Sequence, residues 1–156
     1  MSKYETIRAT PPNIEELESM ARDKSSWRVR ILAIDELRKW NCRRSREILS
    51  RLAETDAIEE VRIQAIRALE VFGEDADYGG TRVPDFEVYM HRASKVFRRM
   101  NADEAELEIS KVMQLLKDQD PELYDIMEYY KSDKFEEWIS QVYSDVRRRQ
   151  KKQHVK

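Results

Sequence analysis

The chain has 156 residues, 40% of them apolar and 38% charged, with only three glycines and four prolines, a balance that suits one helical domain with a real core and solvated outer faces. A net charge of −2, from 29 basic and 31 acidic residues, excludes a global field that would hold nucleic acid or a membrane surface. Cys42 is the only cysteine, which excludes an intrachain disulfide, and no stretch approaches the roughly 20 apolar residues of a membrane span.

The chain opens on Met1-Ser2-Lys3-Tyr4-Glu5, without the apolar run of a signal peptide, so a reducing cytoplasm is the expected setting. Charge is unevenly spread. Residues 22–51 hold ten Lys/Arg against four Asp/Glu, residues 101–137 hold four Lys against twelve Asp/Glu, and residues 147–156 hold six Lys/Arg and no acid.

Residues 1–12 are expected to be irregular, because Thr10-Pro11-Pro12 forces an extended entry. Asn13 then stands where it can cap a helix, with Glu15 and Glu16 in the first turn, where the dipole favours acid, and Ile14, Leu17, Met20 and Ala21 on one face. Ser25 or Ser26 caps a second helix running to about Trp40, with Val29, Leu32, Ala33, Leu37 and Trp40 facing inward. Asn41-Cys42 is a tight connection to a third helix near 44–54, whose inner residues are Ile48, Leu49, Leu52 and Ala53. A turn over 55–60 leads into a fourth helix, from about Glu59 to Phe72, which Gly73 stops.

Within these four helices a pattern occurs twice. Val29-Arg30, Ala33-Ile34 and Leu37 return as Val61-Arg62, Ala65-Ile66 and Leu69, each shifted by 32 residues. The same shift carries Leu17, Met20 and Ala21 onto Leu49, Leu52 and Ala53. A period in this range marks stacked helix pairs, neither of which buries its apolar face alone. The second unit, Asp56-Ala57-Ile58-Glu59-Glu60-Val61-Arg62 followed by Ala65, Ala68 and Leu69, resembles the HEAT repeat in its short bacterial form. In that family an Asp lies in the turn between the helices and Val-Arg opens the second helix. The first unit has Lys24 at the Asp position, with Asp23 beside it. The resemblance covers roughly the first half of the chain. It implies an α-solenoid scaffold in which Arg30 and Arg62 form a ladder with the turn acids.

Residues 74–85, with Gly79-Gly80 and Pro84, break the pattern and read as a long, mobile loop. A helix over 86–100 follows, with Val88, Tyr89, Ala93, Val96, Phe97 and Met100 on one side. Asn101 or Asp103 starts another, carrying Ala105, Leu107, Ile109, Val112, Met113, Leu115 and Leu116. Asp118 lies five residues before Leu123, as Asp56 does before Val61, so a further, degenerate turn is expected there, with Pro121 in the first turn of a helix to Tyr130. The last helix, about 133–149, carries Phe135, Trp138, Ile139, Val142, Tyr143 and Val146 as one stripe, and beyond it a basic tail frays.

Catalytic chemistry finds no constellation. The imidazoles are His91, with no motif around it, and His154 in the tail. Cys42, beside Arg43 and Arg44, reads as a packed helix-junction residue. HEAT-like hydroxylases carry iron on His-Glu pairs, and this chain has no such pair. Asp75-Ala76-Asp77 and Asp118-Gln119-Asp120 lack the full calcium-loop pattern, so neither metal nor cofactor is expected.

The expected architecture is all-α: a short HEAT-like helical-repeat array (α-solenoid) with a C-terminal helical bundle. Its parts are an irregular segment 1–12, two repeats over 13–73, a loop 74–85, helical hairpins over 86–149 that continue the array, and a basic tail 150–156. The expected function is a non-enzymatic protein–protein interaction module, an adaptor or regulatory scaffold. Its candidate partner-binding residues are Arg28, Arg38, Lys39, Arg43, Arg44, Arg46, Arg51, Tyr129 and Tyr130. Arg43, Arg44 and Arg46 stand out because they start a helix, where the dipole disfavours cations. Tyr129 and Tyr130 stand out because neighbours on a helix cannot both face one core. The partner is another protein, of acidic character, and a homodimer through the acidic segment 101–137 is a variant of that reading. The alternative is a nucleic-acid-binding protein using the Arg28–Arg51 surface and the basic tail. No membrane partner is expected.

Overall fold

The structure, a computed structural model, describes residues 5–76, 82 and 84–154, with His154 described by its backbone alone. The Gly79-Gly80 turn and half of the loop expected over 74–85 lie outside the described residues. The chain divides into two compact units, Met1–Val83 and Pro84–Lys156, where composition suggested one domain. Among the described residues the elements are helical, with one isolated bridge between Ile7 and Trp40.

The first unit holds four helices: α1 (Ile14–Ala21), α2 (Trp27–Leu37), α3 (Arg43–Thr55) and α4 (Glu59–Val71). They form two hairpins, α1 on α2 and α3 on α4, and the second helices α2 and α4 pack on each other. The small residues Ala33 and Ala65, equivalent under the 32-residue shift, are both fully buried, where a larger side chain would hold the helices apart. Ser26 caps α2 by accepting from the Val29 amide at 3.3 Å. Asn13 occupies the cap position of α1 but makes no side-chain cap bond. Gly73 ends α4 with φ +81, its amide donating to Glu70 and the Glu74 amide reaching back to Leu69. That left-handed C-terminal closure is one a glycine adopts without penalty. The entry segment is held: Ile7 donates to Lys39 and accepts from Asn41, both at 2.8 Å, so it is pinned to the α2–α3 connection.

One inward assignment on α2 is corrected. Leu32 is 59% exposed, and the positions turned inward are Arg30, Ala33, Ile34 and Leu37. The apolar stripe of α2 runs through Ile34, and one of its core positions is held by an arginine. Met20 and Trp40 are only half-buried, and α2 ends at Leu37.

The second unit holds α5 (Phe86–Arg98), α6 (Ile109–Gln119), α7 (Pro121–Lys131), a single 3₁₀ turn (Ser132–Lys134) and α8 (Phe135–His154). The long helix α8 packs against α5, α6 and α7. The core joins Ala93, Val96 and Phe97 of α5 and Val112 and Leu116 of α6 to the stripe Phe135, Ile139, Val142, Tyr143 and Val146 of α8. Val88, expected to face inward, is 50% exposed.

The helix expected from Asn101 or Asp103 begins only at Ile109. The cause lies on α8. Arg147, 1% exposed, donates to the carbonyls of Asn101 (2.9 Å) and Glu104, Gln150 donates to those of Met100 (2.9 Å) and Arg98, and the Tyr143 hydroxyl accepts from the Leu107 amide (3.0 Å). Side chains of α8 thus take the backbone groups a helix over 101–108 needs for itself. Accordingly α8 does not fray at Arg147; it runs to His154, and Arg147 belongs to the interior.

Candidate protein-interaction surface

The most built feature of the first unit is an internal ladder. Arg30 and Asp56 are 3% and 4% exposed. Arg30 grips the carboxylate with both edges of its fork, Nε to Oδ2 at 2.8 Å and Nη2 to Oδ1 at 3.1 Å, and its Nη1 donates to the Asp23 carbonyl at 2.7 Å. Asp56 also accepts from the Ile58 amide at 2.9 Å, which fixes the turn before α4. One level on, Arg62 repeats the carbonyl contact: its Nη1 donates to the Asp56 carbonyl at 2.7 Å, and its Nη2 to Arg82 at 3.4 Å. Its Nε has no partner among the described residues, and no carboxylate meets it there. The ladder therefore has one complete rung, satisfied as a buried ion pair must be.

The arginines expected to form an unpaired basic surface are paired. Arg43 bonds Glu47 at 2.9 Å along α3. Arg44 reaches α1, bonding Glu15 at 2.6 Å and also Glu18. Arg46 bonds the Asn41 side chain at 2.7 Å and lies 3.9 Å from Glu74. Hydrogen bonds to Arg44, then its charge, hold the Glu15 carboxyl below the usual range, and hydrogen bonds from Arg22 and Arg44 do the same for Glu18. The same two glutamates raise the Arg44 guanidinium. Cations at the start of α3 are thus explained by carboxylates: Glu47, one turn along α3, for Arg43, and Glu15 and Glu18 of α1, distant in sequence, for Arg44.

On α2, Arg38 bonds Asp35 (3.0 Å) and the Gln64 side chain of α4 (3.2 Å), and Lys39 bonds Glu36 (3.0 Å). Arg28 is exposed, its guanidinium 4.6 Å above the Trp27 ring. Arg51 is half-buried on α3, its Nη2 without a hydrogen-bond partner among the described residues. Tyr129 and Tyr130 lie on α7 of the second unit, both half-buried, their rings edge to face at 4.8 Å, with Phe86 at 6.2 Å from Tyr130. They belong to an aromatic cluster and not to the arginine group.

Cys42 is the cap residue of α3, its sulfur accepting from the Ser45 amide at 3.5 Å. Burial raises its pKa, but hydrogen bonds from Ser45, Thr10 and Arg44 outweigh that and leave it below the ordinary thiol value. His91 is exposed. Among the described residues no group of three His, Cys, Asp or Glu is arranged to hold a metal ion, and no helix is long and apolar enough to cross a membrane.

The residue that sequence reasoning misplaced is Leu32. On α2, Arg28, Leu32 and Asp35 occupy i−4, i and i+3 and all are exposed, opposite the buried face of that helix. A signal for this was present: the 32-residue shift places Gln64, a polar residue, at the position equivalent to Leu32.

Paired hairpins stacked through their second helices and tied by an Arg–Asp rung define a helical-repeat segment. Residues 14–78 match the family model described as HEAT repeats, and this segment of the chain consists of HEAT repeats. No curated protein and no solved structure matches the chain.

Proposed function

We propose that the chain is a non-enzymatic protein-interaction module, an adaptor or regulatory scaffold, whose first unit offers the outward face of α2 to a partner. The observation that carries this reading is Leu32, a leucine 59% exposed on the second helix of a HEAT repeat, with the half-buried Ile31 beside it. Arg28 stands one turn before it, Asp35 one turn after it, and Lys39, paired with Glu36, just beyond the helix, so the apolar contact has a rim of both charges. A partner segment with one apolar side chain flanked by charged ones fits this surface. Cys42, a single thiol, suits a reducing compartment such as the cytoplasm.

The nucleic-acid reading loses its motive. Binding a phosphate backbone through Arg43 or Arg44 would first have to displace Glu47, Glu15 and Glu18, so the counterion release that drives such binding is diminished.

Affinity capture from native extract tests the proposal, comparing the wild type with the double variant Leu32→Asp, Arg28→Glu. Both side chains are exposed, so the melting temperature should hold within a few degrees, and proteins retained by the wild type should be lost. Retention of the same proteins by the variant removes the α2 face from the account. No enrichment over bare resin removes the adaptor reading itself.

A further inference from the structure

In the second unit, Ser94 and Arg98 stand one turn apart on α5, and Val146, Arg149, Gln150 and Gln153 follow at i, i+3, i+4 and i+7 along α8. These six residues line a cavity of about 210 Å³ between the two helices. Its lining is chemically one-sided. Glu106 lines the cavity beside Arg148 and Lys151, and Glu47, Glu54 and Glu74 line the one beside Arg43 and Arg46, but among the described residues no carboxylate lines this one.

Among the described residues neither the Arg98 nor the Arg149 guanidinium has an acid partner, in contrast to Arg30, Arg43, Arg44, Arg92 and Arg148. The dipole of α5 accounts for a cation at Arg98, in its last turn. It does not account for Arg149, which lies more than a turn before the end of α8, beyond the reach of the terminal partial charge.

Carbonyls at and just beyond the end of α5 would repel an anion, but those of Arg98, Met100 and Asn101 are covered. The Gln150 amide donates to Met100 (2.9 Å) and Arg98 (3.4 Å), and Arg147 donates to Asn101 (2.9 Å). The Gln150 oxygen in turn accepts from Arg147 at 2.8 Å, so Gln150 forms a wall of the cavity and is not a free donor. The rest of the lining is the exposed Arg98 and Arg149, with Ser94, Gln153 and the buried Val146.

We propose that this cavity binds a phosphate group, as the inorganic dianion or a phosphomonoester, held between Arg98 and Arg149 with Ser94 and Gln153 donating to the remaining oxygens. A guanidinium presents two parallel N–H groups that match two oxygens of a phosphate. Two arginines therefore match its charge and oxygen count, whereas a carboxylate would occupy one of them. The volume is below the roughly 300 Å³ at which sites for drug-sized ligands begin, so the cavity takes the group and leaves the rest of any larger ligand outside. This site is in the second unit and does not depend on the α2 face.

The test is a titration of the isotope-labelled full chain, followed by amide chemical shifts at neutral pH and about 0.15 M salt, where exposed charges are well screened. Inorganic phosphate is the first probe and O-phosphoserine the second. Saturable shifts confined to Ser94, Arg98, Arg149 and Gln153 are expected, with a dissociation constant at or below about 1 mM. Arg98→Gln and Arg149→Gln should each weaken binding about tenfold, as expected for loss of one bidentate contact, and leave the melting curve unchanged. Ser94→Ala should weaken it a few-fold. Saturation by phosphate alone identifies a free ion as the ligand, and tighter binding of phosphoserine identifies a phosphorylated group; either supports the site. Shifts that never saturate, that spread over the basic surface at large, or that persist in the Arg98→Gln, Arg149→Gln double variant overturn it.

Discussion

Each unit contains an arginine that grips an aspartate with both edges of its fork, and the two pairs differ in what surrounds them. In the first unit Arg30 reaches Asp56, 26 residues on, at 2.8 and 3.1 Å. In the second, Arg92 of α5 reaches Asp120, 28 residues on, at 2.7 and 3.1 Å. Both aspartates also accept a backbone amide ahead of a helix: Asp56 from Ile58 in the turn before α4, and Asp120, the cap residue of α7, from Leu123. The expected counterpart of Asp56 was Asp118; Asp118 is exposed, and Asp120 has the role.

Burial separates them. The Arg30 side chain is 4% exposed, and it also donates to the Asp23 carbonyl. The Arg92 side chain is 35% exposed, rests 5.4 Å from the Tyr89 ring and has Glu122 at 4.0 Å as a second acid. Burial lowers the Arg92 pKa, but the hydrogen bond and charge of Asp120, then Glu122, outweigh it and hold the group above its ordinary value. The same bidentate geometry is thus an interior fastener in one unit and a half-solvated clasp in the other.

The largest effect should come from breaking the buried pair. Asp56→Ala takes from the buried, charged Arg30 the carboxylate it holds with both edges of its fork, and should cost about 3–5 kcal/mol in urea unfolding. Replacing both residues by apolar ones of similar volume, Arg30→Met with Asp56→Leu, should recover most of that loss, because no buried charge is left over. Equal losses in the single and double variants would mean that the rung acts through the turn before α4 and not through its charge.

A smaller effect is expected in the second unit. Asp120→Ala removes a helix cap and a pair that water screens, and should cost about 1–2 kcal/mol. Asp120→Asn keeps a capping oxygen and should cost less than Asp120→Ala. A loss as large as that of Asp56→Ala would show that exposure does not govern the difference between the units.

The smallest effect belongs to the exposed bridge of Arg44 to Glu15 and Glu18. Both carboxyls are held below their ordinary values in the folded state. Their contribution is therefore complete above the ordinary glutamate pKa of about 4.3 and is lost as pH falls through the depressed values. Arg44→Gln should flatten that acid limb of the melting temperature against pH and leave neutral pH nearly unchanged. Raising the salt concentration should shrink the difference between the two chains. An acid limb of the same steepness in the variant would show that other carboxylates carry it.

Much of the first unit was legible in order. The 32-residue shift, the buried Ala33 and Ala65, the cap region at Ser26 and the stop at Gly73 all follow from spacing and from backbone preferences that a residue carries with it. The ladder role of Arg30 was legible through the resemblance to the repeat family. The candidate interaction surface was read less well. Arg43, Arg44 and Arg46 read as uncompensated cations; Arg43 meets Glu47 one turn on, but Glu15, Glu18 and Glu74, the partners of Arg44 and Arg46, lie far from them in sequence. Leu32 was assigned inward because a leucine suits a core, although the repeat places Gln64 at the equivalent position.

By itself the sequence determined an all-α chain, two helix hairpins in register and, to within a few residues, where those helices begin and end. These are local matters: a 3.6-residue period, a cap or a left-handed glycine acts within a few residues of itself. Only the tertiary structure decided which carboxylate meets which arginine, and that Arg147, seemingly part of a basic tail, lies buried and draws the carbonyls of Asn101 and Glu104 away from a helix. Those outcomes depend on groups more than 20 residues apart coming within about 3 Å, where hydrogen bonds form, and a local pattern carries no record of that approach.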